Sequence, residues 1–322
     1  MVRERRGQDV VRDFCGRHGP ILPYRVEAMD EFERHGIGVV SGRDACARAL
    51  RSPALTSDPG GGSPSVLLRD GDEHTRVRAV LREIIAGLEP VPASVRTSIE
   101  DVVAGLGTSF DLVHDFARPV AGVVTSAVLG VDLDDGFLDR LEAATANLDV
   151  LGGGDRAGQA AAFRLAVQLS RTPAGPGGLT ALREAHAAGR LDEDELMINA
   201  VVLAHAAYEN SLNFLACAGL ELATSGPRTV RELVTAICPA RYVLRFGPHG
   251  PVAISLTDGL PFGLGRHACP GSGVAVAEGE IALTALAEVL GGGCRVGEVR
   301  WKNHPIFHGL ASAHVVVSEK QG

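Results

Sequence analysis

The stretch PFGLGRHACPG, from Pro261 to Gly271, places Cys269 in a glycine-rich loop, with His267 two residues upstream. The pattern of residues 273–290 predicts a helix, so Cys269 is expected beside a helix N-terminus. The helix dipole and nearby backbone N–H groups favour an ionised sulfur and lower the pKa of its thiol. This environment suits a nucleophile and a metal ligand equally, whereas a cysteine considered alone is most often a small buried hydrophobic residue.

The composition limits the class of protein. The chain has 322 residues, of which 45% are hydrophobic, so it is long enough to bury a substantial core. A formal net charge of −8 argues against a general nucleic-acid-binding protein, because such proteins usually carry a basic excess. Small-molecule or protein partners are therefore expected.

The N-terminal segment MVRERRGQDVVRDFCGRHGP opens with charged residues, and no apolar run follows them. It predicts neither a signal peptide nor a membrane span, and we expect a cytoplasmic protein. The cysteines show no Cys-x-x-Cys pair and no clustered Cys/His spacing, which argues against a zinc site and a disulfide framework. They stand at positions 15, 46, 217, 238, 269 and 294.

The apolar periodicity predicts a mainly helical protein with irregular connections. Helices are predicted over 72–88, 111–131, 192–223, the residues before Pro239, and 273–290. Short strands are predicted at 242–246, 252–256 and 314–318, and loops over 152–158 and 171–178. No internal repeat or linker divides the sequence, so residues 1–322 are expected to form a single domain.

The opening loop resembles the haem-binding loop of the cytochrome P450 family at every signature position. These positions are Phe262, Gly263, Gly265, His267, Cys269 and Gly271. In that family the cysteine is the axial thiolate of the haem iron, a ligation that favours O–O cleavage. The resemblance implies a mainly helical fold with small β elements, haem b as the cofactor, and Cys269 as the iron ligand.

Other segments extend the resemblance over most of the chain. The segment DGDEHTRVR is similar to the family's propionate-binding helix, with His74 and Arg78 four residues apart on one face. The segment CPARYVLRF supplies Arg245 as a further candidate propionate ligand. Together with His267, these residues would give two propionates their cationic or N–H partners.

Residues 192–223 resemble the family's long central helix over the distal face of the haem, which would bring Ala206 against the cofactor. The family has an acid followed by threonine in this helix; here Glu209 keeps the acid, and Asn210 replaces the threonine. An amide cannot relay a proton as a hydroxyl does, so Ser211, water or a substrate hydroxyl would have to serve. Glu209, Asn210 and Ser211 are thus candidate catalytic residues.

His205 is a fourth candidate catalytic residue. It stands one turn before Glu209, where the family usually has an apolar side chain. It is either a histidine satisfied against a neighbouring helix or an acid–base group that serves peroxide or substrate, or even approaches the iron. Pro270 has no N–H to donate to the sulfur, which would leave the thiolate more electron-rich; alternatively, it only stiffens the loop.

The scaffold departs from the family in two further places. The family's Glu-x-x-Arg pair reads Glu232-x-x-Thr235, which removes its ion pair. Only residues 246–260 separate Arg245 from Pro261, far fewer than is usual. The resemblance therefore implies a shortened version of the fold.

These features together predict a haem-thiolate monooxygenase that modifies a small organic molecule in secondary metabolism. A ferredoxin-type protein would donate electrons, and Arg76, Arg82 and Arg266 are candidate docking contacts. Two alternatives stay open. One is haem-thiolate chemistry without an electron partner, such as peroxide use, rearrangement or dehydration; the other is a helper protein that stabilises a partner enzyme without using haem.

Overall fold

The computed structural model describes residues 32–145, 156–304 and 306–318. The α-helices of these residues are α1 (Arg43–Arg51), α2 (Gly71–Ala86), α3 (Ala93–Ala104), α4 (Arg118–Leu129), α5 (Asp135–Thr145), α6 (Arg156–Arg171), α7 (Gly178–Ala187), α8 (Glu193–Ser225), α9 (Val230–Ala236) and α10 (Ser272–Leu290). Shorter helical segments are the 3-10 helices Val66–Leu68 and Gly265–His267 and the π-helical segment Leu112–Ala117.

The strands form two small sheets. They are β1 (Gly38–Val40), β2 (Ser109–Asp111), β3 (Tyr242–Gly247), β4 (Gly250–Ser255), β5 (Cys294–Trp301) and β6 (Leu310–Val317). In the first sheet, β4 pairs in parallel with β1 and antiparallel with β3. In the second sheet, β6 lies between β2 and β5 and pairs antiparallel with both. The predicted class, mainly helical with small β elements, is therefore confirmed.

The predicted helices are present with shifted ends. Residues 111–131 form the π-helical segment followed by α4, and Pro119 stands in the first turn of α4, where proline is tolerated. The loop predicted over 152–158 is wrong for residues 156–158, which begin α6, whereas residues 152–155 lie outside the described residues. Gly178, the last residue of the second predicted loop, begins α7.

The central helix α8 positions the functional region. Its first turn is fixed by a capping box between Asp192 and Glu195. The buried carboxylate of Glu195 also binds Arg69 and Arg76, each at 2.5 Å, which ties the start of α8 to the chain around α2. Further along, α8 packs against α4, α6, α7 and α10, so it is enclosed by other helices.

One stretch of the described residues, Leu112–Leu129, has the length and apolar composition of a membrane-crossing helix. Inside the protein, 61% of that stretch is buried. The core helix of a soluble protein passes the same test, so this stretch is weak evidence for a membrane span.

Candidate functional site

An apolar cavity of about 430 Å³ lies between α8 and the loop that carries Cys269. Its size lies in the range of sites that enclose small molecules. Aliphatic and aromatic side chains from α2, α4, α8, α9 and the chain around Phe307 form most of its wall. The polar side chains of the wall are Arg78, His205, Asn210, Ser211, Tyr242, His267, Cys269 and Glu278.

The loop holds Cys269 through its backbone. The Cys269 N–H donates to the Phe262 carbonyl at 2.8 Å, and both Phe262 and Gly263 line the cavity. Gly265, outside the cavity wall, has a positive φ of 74°, and a Cβ added to it would approach the Leu50 carbonyl oxygen to 3.0 Å. Backbone angle and space therefore both require glycine at this position.

Cys269 is an exposed residue, and it lines the cavity. Burial raises the pKa of this thiol above its usual value, and the backbone N–H of Gly271 and the guanidinium of Arg78 act in the opposite direction. The expectation of a lowered pKa is therefore wrong for the free thiol, because desolvation outweighs the helix N-terminus. Metal coordination would deprotonate it.

Basic side chains gather beside the thiol loop. Arg78 on α2 donates to the Ala268 carbonyl, and His267 Nε2 lies 3.1 Å from Asp70 Oδ1. The ring of His74 lies 4.1 Å from that of His267, and its buried Nε2 has no hydrogen-bond partner. Burial lowers the pKa of His74 and lowers that of His267 to about 4, so both imidazoles are neutral near pH 7.

Arg245 on β3 joins this group. It is 9% exposed, and its Nη1 donates to the Leu244 carbonyl at 2.7 Å. Within the described parts of the chain, no carboxylate pairs with Arg245 or Arg78, and burial lowers the pKa of both guanidinium groups. Arg78 and His267 line the cavity, whereas His74 and Arg245 lie outside its wall. The group is therefore suited to an anion.

Ser211 and Glu278 form a buried pair in the wall. Ser211 Oγ on α8 donates to Glu278 Oε1 on α10. Glu278 is 3% exposed, and burial raises its pKa to about 8 although the Ser211 hydroxyl opposes this shift. The carboxyl is thus largely protonated at pH 7 and holds a proton that it can exchange with the hydroxyl.

The other candidate catalytic residues are divided between two environments. His205 and Asn210 line the cavity together with Ala206, whose carbonyl accepts from Asn210 Nδ2 at 3.4 Å. Glu209 is not part of the wall. Its buried Oε1 accepts from Lys302 Nζ at 2.9 Å and from the side-chain amide of Asn213 at 2.8 Å.

Comparisons with known proteins identify relatives of this chain. No protein-family profile matches it. Cytochrome P450 107B1 of Saccharopolyspora erythraea is 31% identical over 181 residues, which span 52% of this chain and 43% of that protein. The match therefore covers less than half the length of that relative. The 6-deoxyerythronolide B hydroxylase of the same organism is 26% identical over 376 aligned positions, covering 90% of this chain and 91% of that protein.

The fold is also shared with solved structures. The ligand-free crystal structure of CYP164A2 from Mycobacterium smegmatis matches with a TM-score of 0.76 and 22% identity, over 88% of this chain and 92% of that chain. The curated relatives and this fold agree with the signature around Cys269. The chain therefore has the fold of cytochrome P450s and is similar in sequence to members of that family.

Haem is the cofactor of cytochrome P450s, and the residues of this chain fit it. A cysteine with an N–H donor and a guanidinium near its sulfur opens into an apolar cavity, as an axial thiolate requires. Arg78 and Arg245, which have no carboxylate partner among the described residues, stand near the same loop. So does His74, whose Nε2 makes no hydrogen bond. Propionates are the anions that this group would hold.

Few residues separate Arg245 from the thiol loop. The β3–β4 hairpin leads into the loop without a further helix among residues 256–264. At the start of α9, the Glu232 carboxylate accepts from the N–H and Oγ of Thr229, and Thr235 Oγ donates to the Arg231 carbonyl. Among the described residues no cation lies within ion-pair distance of Glu232, although the charge of Arg228 helps to lower its pKa.

Sequence reasoning missed Glu278, Lys302 and Phe307. A signal existed for Glu278, because this acid falls on the same buried face of α10 as Val274 and Ile281. Lys302 and Phe307 lie in the loop after β5 and contact residues of α8 only in the folded chain. No sequence pattern around either residue predicts those contacts.

The first prediction concerns Glu278 and pH. The unfolded carboxyl has a pKa of about 4.3, whereas the folded one has a pKa of about 8. The folded state therefore binds more protons across this window, and the free energy of unfolding falls as pH rises through it, by up to about 1.4 kcal/mol per pH unit. In Glu278→Gln the free energy of unfolding should therefore decrease less with rising pH than it does in the unmodified protein.

Denaturant titrations at pH 5, 6.5 and 8 measure this effect. The exposed Glu280 on the same helix supplies a matched control, since Glu280→Gln should keep the pH dependence of the unmodified protein. Equal pH dependence in the unmodified protein and Glu278→Gln would show that Glu278 is ionised in the folded state at neutral pH.

Proposed function

We propose that this chain is a cytochrome P450, a haem-thiolate monooxygenase that binds haem b and oxidises a small organic molecule in secondary metabolism. The observation that carries the proposal is one apolar cavity bounded by Cys269 and by the Ser211–Glu278 pair. The hydroxylase among the relatives supports this reaction class. The proposal treats residues 1–322 as a single catalytic domain.

The chain's own residues would hold the cofactor, which when bound supplies the oxidising chemistry. Cys269 would ligate the iron through its sulfur. Arg78 and Arg245 would bind the propionates, and His74 and His267 would donate N–H groups to them. The apolar wall would exclude water from the reacting atoms, which limits loss of reactive oxygen species to solvent.

Ser211 would deliver protons to the cavity. For this relay the hydrogen bond reverses, so that the protonated Glu278 carboxyl donates to Ser211 Oγ. The carboxyl then gives its proton to Oγ while the hydroxyl releases its own proton into the cavity, which leaves Glu278 as a carboxylate and Ser211 uncharged. Asn210 lacks this ability. Its side-chain amide would instead keep its hydrogen bond to the Ala206 carbonyl on the same helix.

We assign Glu209 a positioning role. Its ion pair with Lys302 joins α8 to the loop after β5, which carries the cavity residues Ile306 and Phe307. The Lys302 side chain is 26% exposed, so the pair reaches the protein surface. Glu209 would therefore set the distance between the helix and that loop.

A ferredoxin-type protein is the proposed electron donor. Arg76 and Arg266 already pair with carboxylates of this chain, whereas Arg82 is exposed on α2. Arg82 follows Arg78, which contacts the thiol loop, by one helical turn. It is therefore the best placed of the three predicted contacts.

Arg82→Glu is expected to raise the KM for an acidic ferredoxin roughly fivefold, because the substitution replaces an attractive charge by a repulsive one. Turnover with hydrogen peroxide should not change. Arg164→Glu, on the exposed face of α6, is the matched control. If both variants have the KM of the unmodified protein, the donor does not dock at Arg82.

Peroxide use without an electron donor is the second candidate function, favoured by Asn210 in the cavity wall. The two are separated by giving haem-loaded protein a panel of apolar alcohols and lactones. One reaction contains hydrogen peroxide, and the other contains ferredoxin, its reductase and NAD(P)H. Products only with the electron donor support the monooxygenase, whereas products only with peroxide defeat it. Protein that binds no haem when haem is supplied contradicts both and favours a helper protein.

A further inference from the structure

Ser57 buries a hydroxyl group beside the basic side chains of the thiol loop. The residue is 1% exposed, and its Oγ makes no hydrogen bond with the described residues. A buried hydroxyl in this state has lost its hydrogen bonds to water and gained none in exchange, which lowers the stability of the fold. A ligand that accepts a hydrogen bond from Ser57 would remove this cost.

The backbone pairing places Ser57 opposite Arg245. Thr56 and Phe246 form an antiparallel bridge and exchange both backbone hydrogen bonds, with N–O distances of 2.9 and 2.8 Å. In this register the next facing residues are Ser57 and Arg245. Such a pair, without backbone hydrogen bonds of its own, brings its two side chains close together on one face.

This shared face borders the cavity. Val243, two residues before Arg245, lines the cavity, and alternate residues of a strand lie on the same face. Leu55 and Gly247 are the facing residues on the other side of the bridge. They are in contact as the register requires, since a Cβ added to Gly247 would come within 2.8 Å of Leu55 Cδ2.

Asp70 lies beside Ser57 but does not use its hydroxyl. One carboxylate oxygen accepts from the Ser57 N–H and from Thr56 Oγ1, each at 2.6 Å. The other lies 2.5 Å from Arg266 Nε and 3.1 Å from His267 Nε2. Because a neutral imidazole has a single N–H, a propionate that takes it from His267 has to displace Asp70. The Ser57 hydroxyl can donate without this competition.

We propose that Ser57 is a further haem-binding residue, whose hydroxyl donates a hydrogen bond to the propionate that Arg245 binds. This inference rests on the proposed function and adds a ligand to its cofactor site. The propionate gives the buried guanidinium a counter-charge and gives the hydroxyl its partner. No sequence motif marks Ser57, because only the pairing of Thr56 with β3 brings it to Arg245.

Two forms of haem test this ligand. They are haem b and its dimethyl ester, in which methyl groups remove both propionate charges. Titration of haem-free protein, followed by Soret absorbance, measures their affinities. We expect Ser57→Ala to bind haem b about tenfold more weakly than the unmodified protein does, the effect of one lost hydrogen bond to a charged group. For the dimethyl ester the loss should be about threefold or less, because an ester carbonyl is a weaker acceptor.

Companion variants assign the loss to the hydroxyl. Ser57→Thr keeps a hydroxyl and should recover most of the affinity for haem b. Ser98→Ala, at an exposed position on α3, should bind both forms as the unmodified protein does. In an Arg245→Met background, Ser57→Ala should weaken haem b binding less than it does alone, because both side chains hold the same propionate.

Haem-free Ser57→Ala should be at least as stable as the haem-free unmodified protein in denaturant titration, because the substitution removes a buried group without a partner. Three results would overturn the role of Ser57: unchanged affinity of Ser57→Ala for haem b; an equal loss with the dimethyl ester, which indicates packing; or a less stable haem-free variant, which means that the hydroxyl already has a partner.

The spectrum of the reduced unmodified protein under carbon monoxide separates this inference from the proposed function. Protein that binds no haem contradicts both. A thiolate–CO Soret band together with any of the three results above contradicts only the role of Ser57.

Discussion

Ser211→Ala is expected to lower product formation driven by the electron donor about 10²-fold, the scale of a lost proton-transfer group. Ser211 Oγ donates to Glu278 in the cavity wall, and in the proposed mechanism it would supply the relay hydroxyl that Asn210 lacks. The electrons should still be consumed, so NAD(P)H oxidation would continue and release hydrogen peroxide instead of product. The ratio of product to NAD(P)H consumed is therefore the measurement.

Companion variants separate proton relay from a structural effect. Glu278→Gln should lower the same ratio, whereas Ser211→Thr, which keeps a hydroxyl, should restore most of it. Peroxide-driven turnover should change little in Ser211→Ala, because hydrogen peroxide brings the protons that the dioxygen route takes from the protein. If both routes decline equally in Ser211→Ala, then Ser211 supports the wall and relays no proton.

Arg245→Met is expected to have opposite effects on the haem-free and haem-loaded protein. Arg245 is a buried cation with no carboxylate partner among the described residues, and burial lowers its pKa. Removing this uncompensated charge should stabilise the haem-free protein. In the haem-loaded protein, the same substitution removes a charge-assisted hydrogen bond to a propionate, which should weaken haem binding by about 10-fold to 100-fold. Denaturant titration of haem-free protein and haem transfer to apomyoglobin measure the two effects.

The exposed Arg48 on α1 provides the control for this prediction. Arg48→Met should leave both the stability and the haem affinity close to those of the unmodified protein. A lower stability of haem-free Arg245→Met would mean that Arg245 already has an adequate partner in the chain. Unchanged haem affinity would remove Arg245 from the propionate site.

The thiol loop and the long helices were predictable because their signals are local. The glycines of the thiol loop stand close to Cys269 in sequence, and the positive φ of Gly265 explains one of them. Its close approach to Leu50 is a tertiary contact that the sequence did not indicate. The acids that begin α8 likewise predict its first turn. By contrast, the helices α5 to α7 were not predicted individually, and the start of α6 was read as a glycine-rich loop. In the structure α5 and α6 pack against each other, and all three helices contact α8.

The orientation of the polar side chains on α8 could not be predicted from the sequence. Glu209 and Ser211 are two residues apart, yet one binds Lys302, 93 positions away, and the other binds Glu278, 67 positions away. The partners come from different elements, so only tertiary packing decides which carboxyl group meets the cavity. The same packing buries His205 against Phe307 and lowers its pKa.

The absorption spectrum of the reduced protein under carbon monoxide tests the central claim most directly. The account predicts a stoichiometrically bound haem with the red-shifted Soret band of a thiolate–CO complex. In Cys269→His this band should move to the shorter wavelength of a nitrogen-ligated haem. Protein that binds no haem when haem is supplied, or a spectrum that Cys269→His does not change, would contradict Cys269 as the iron ligand.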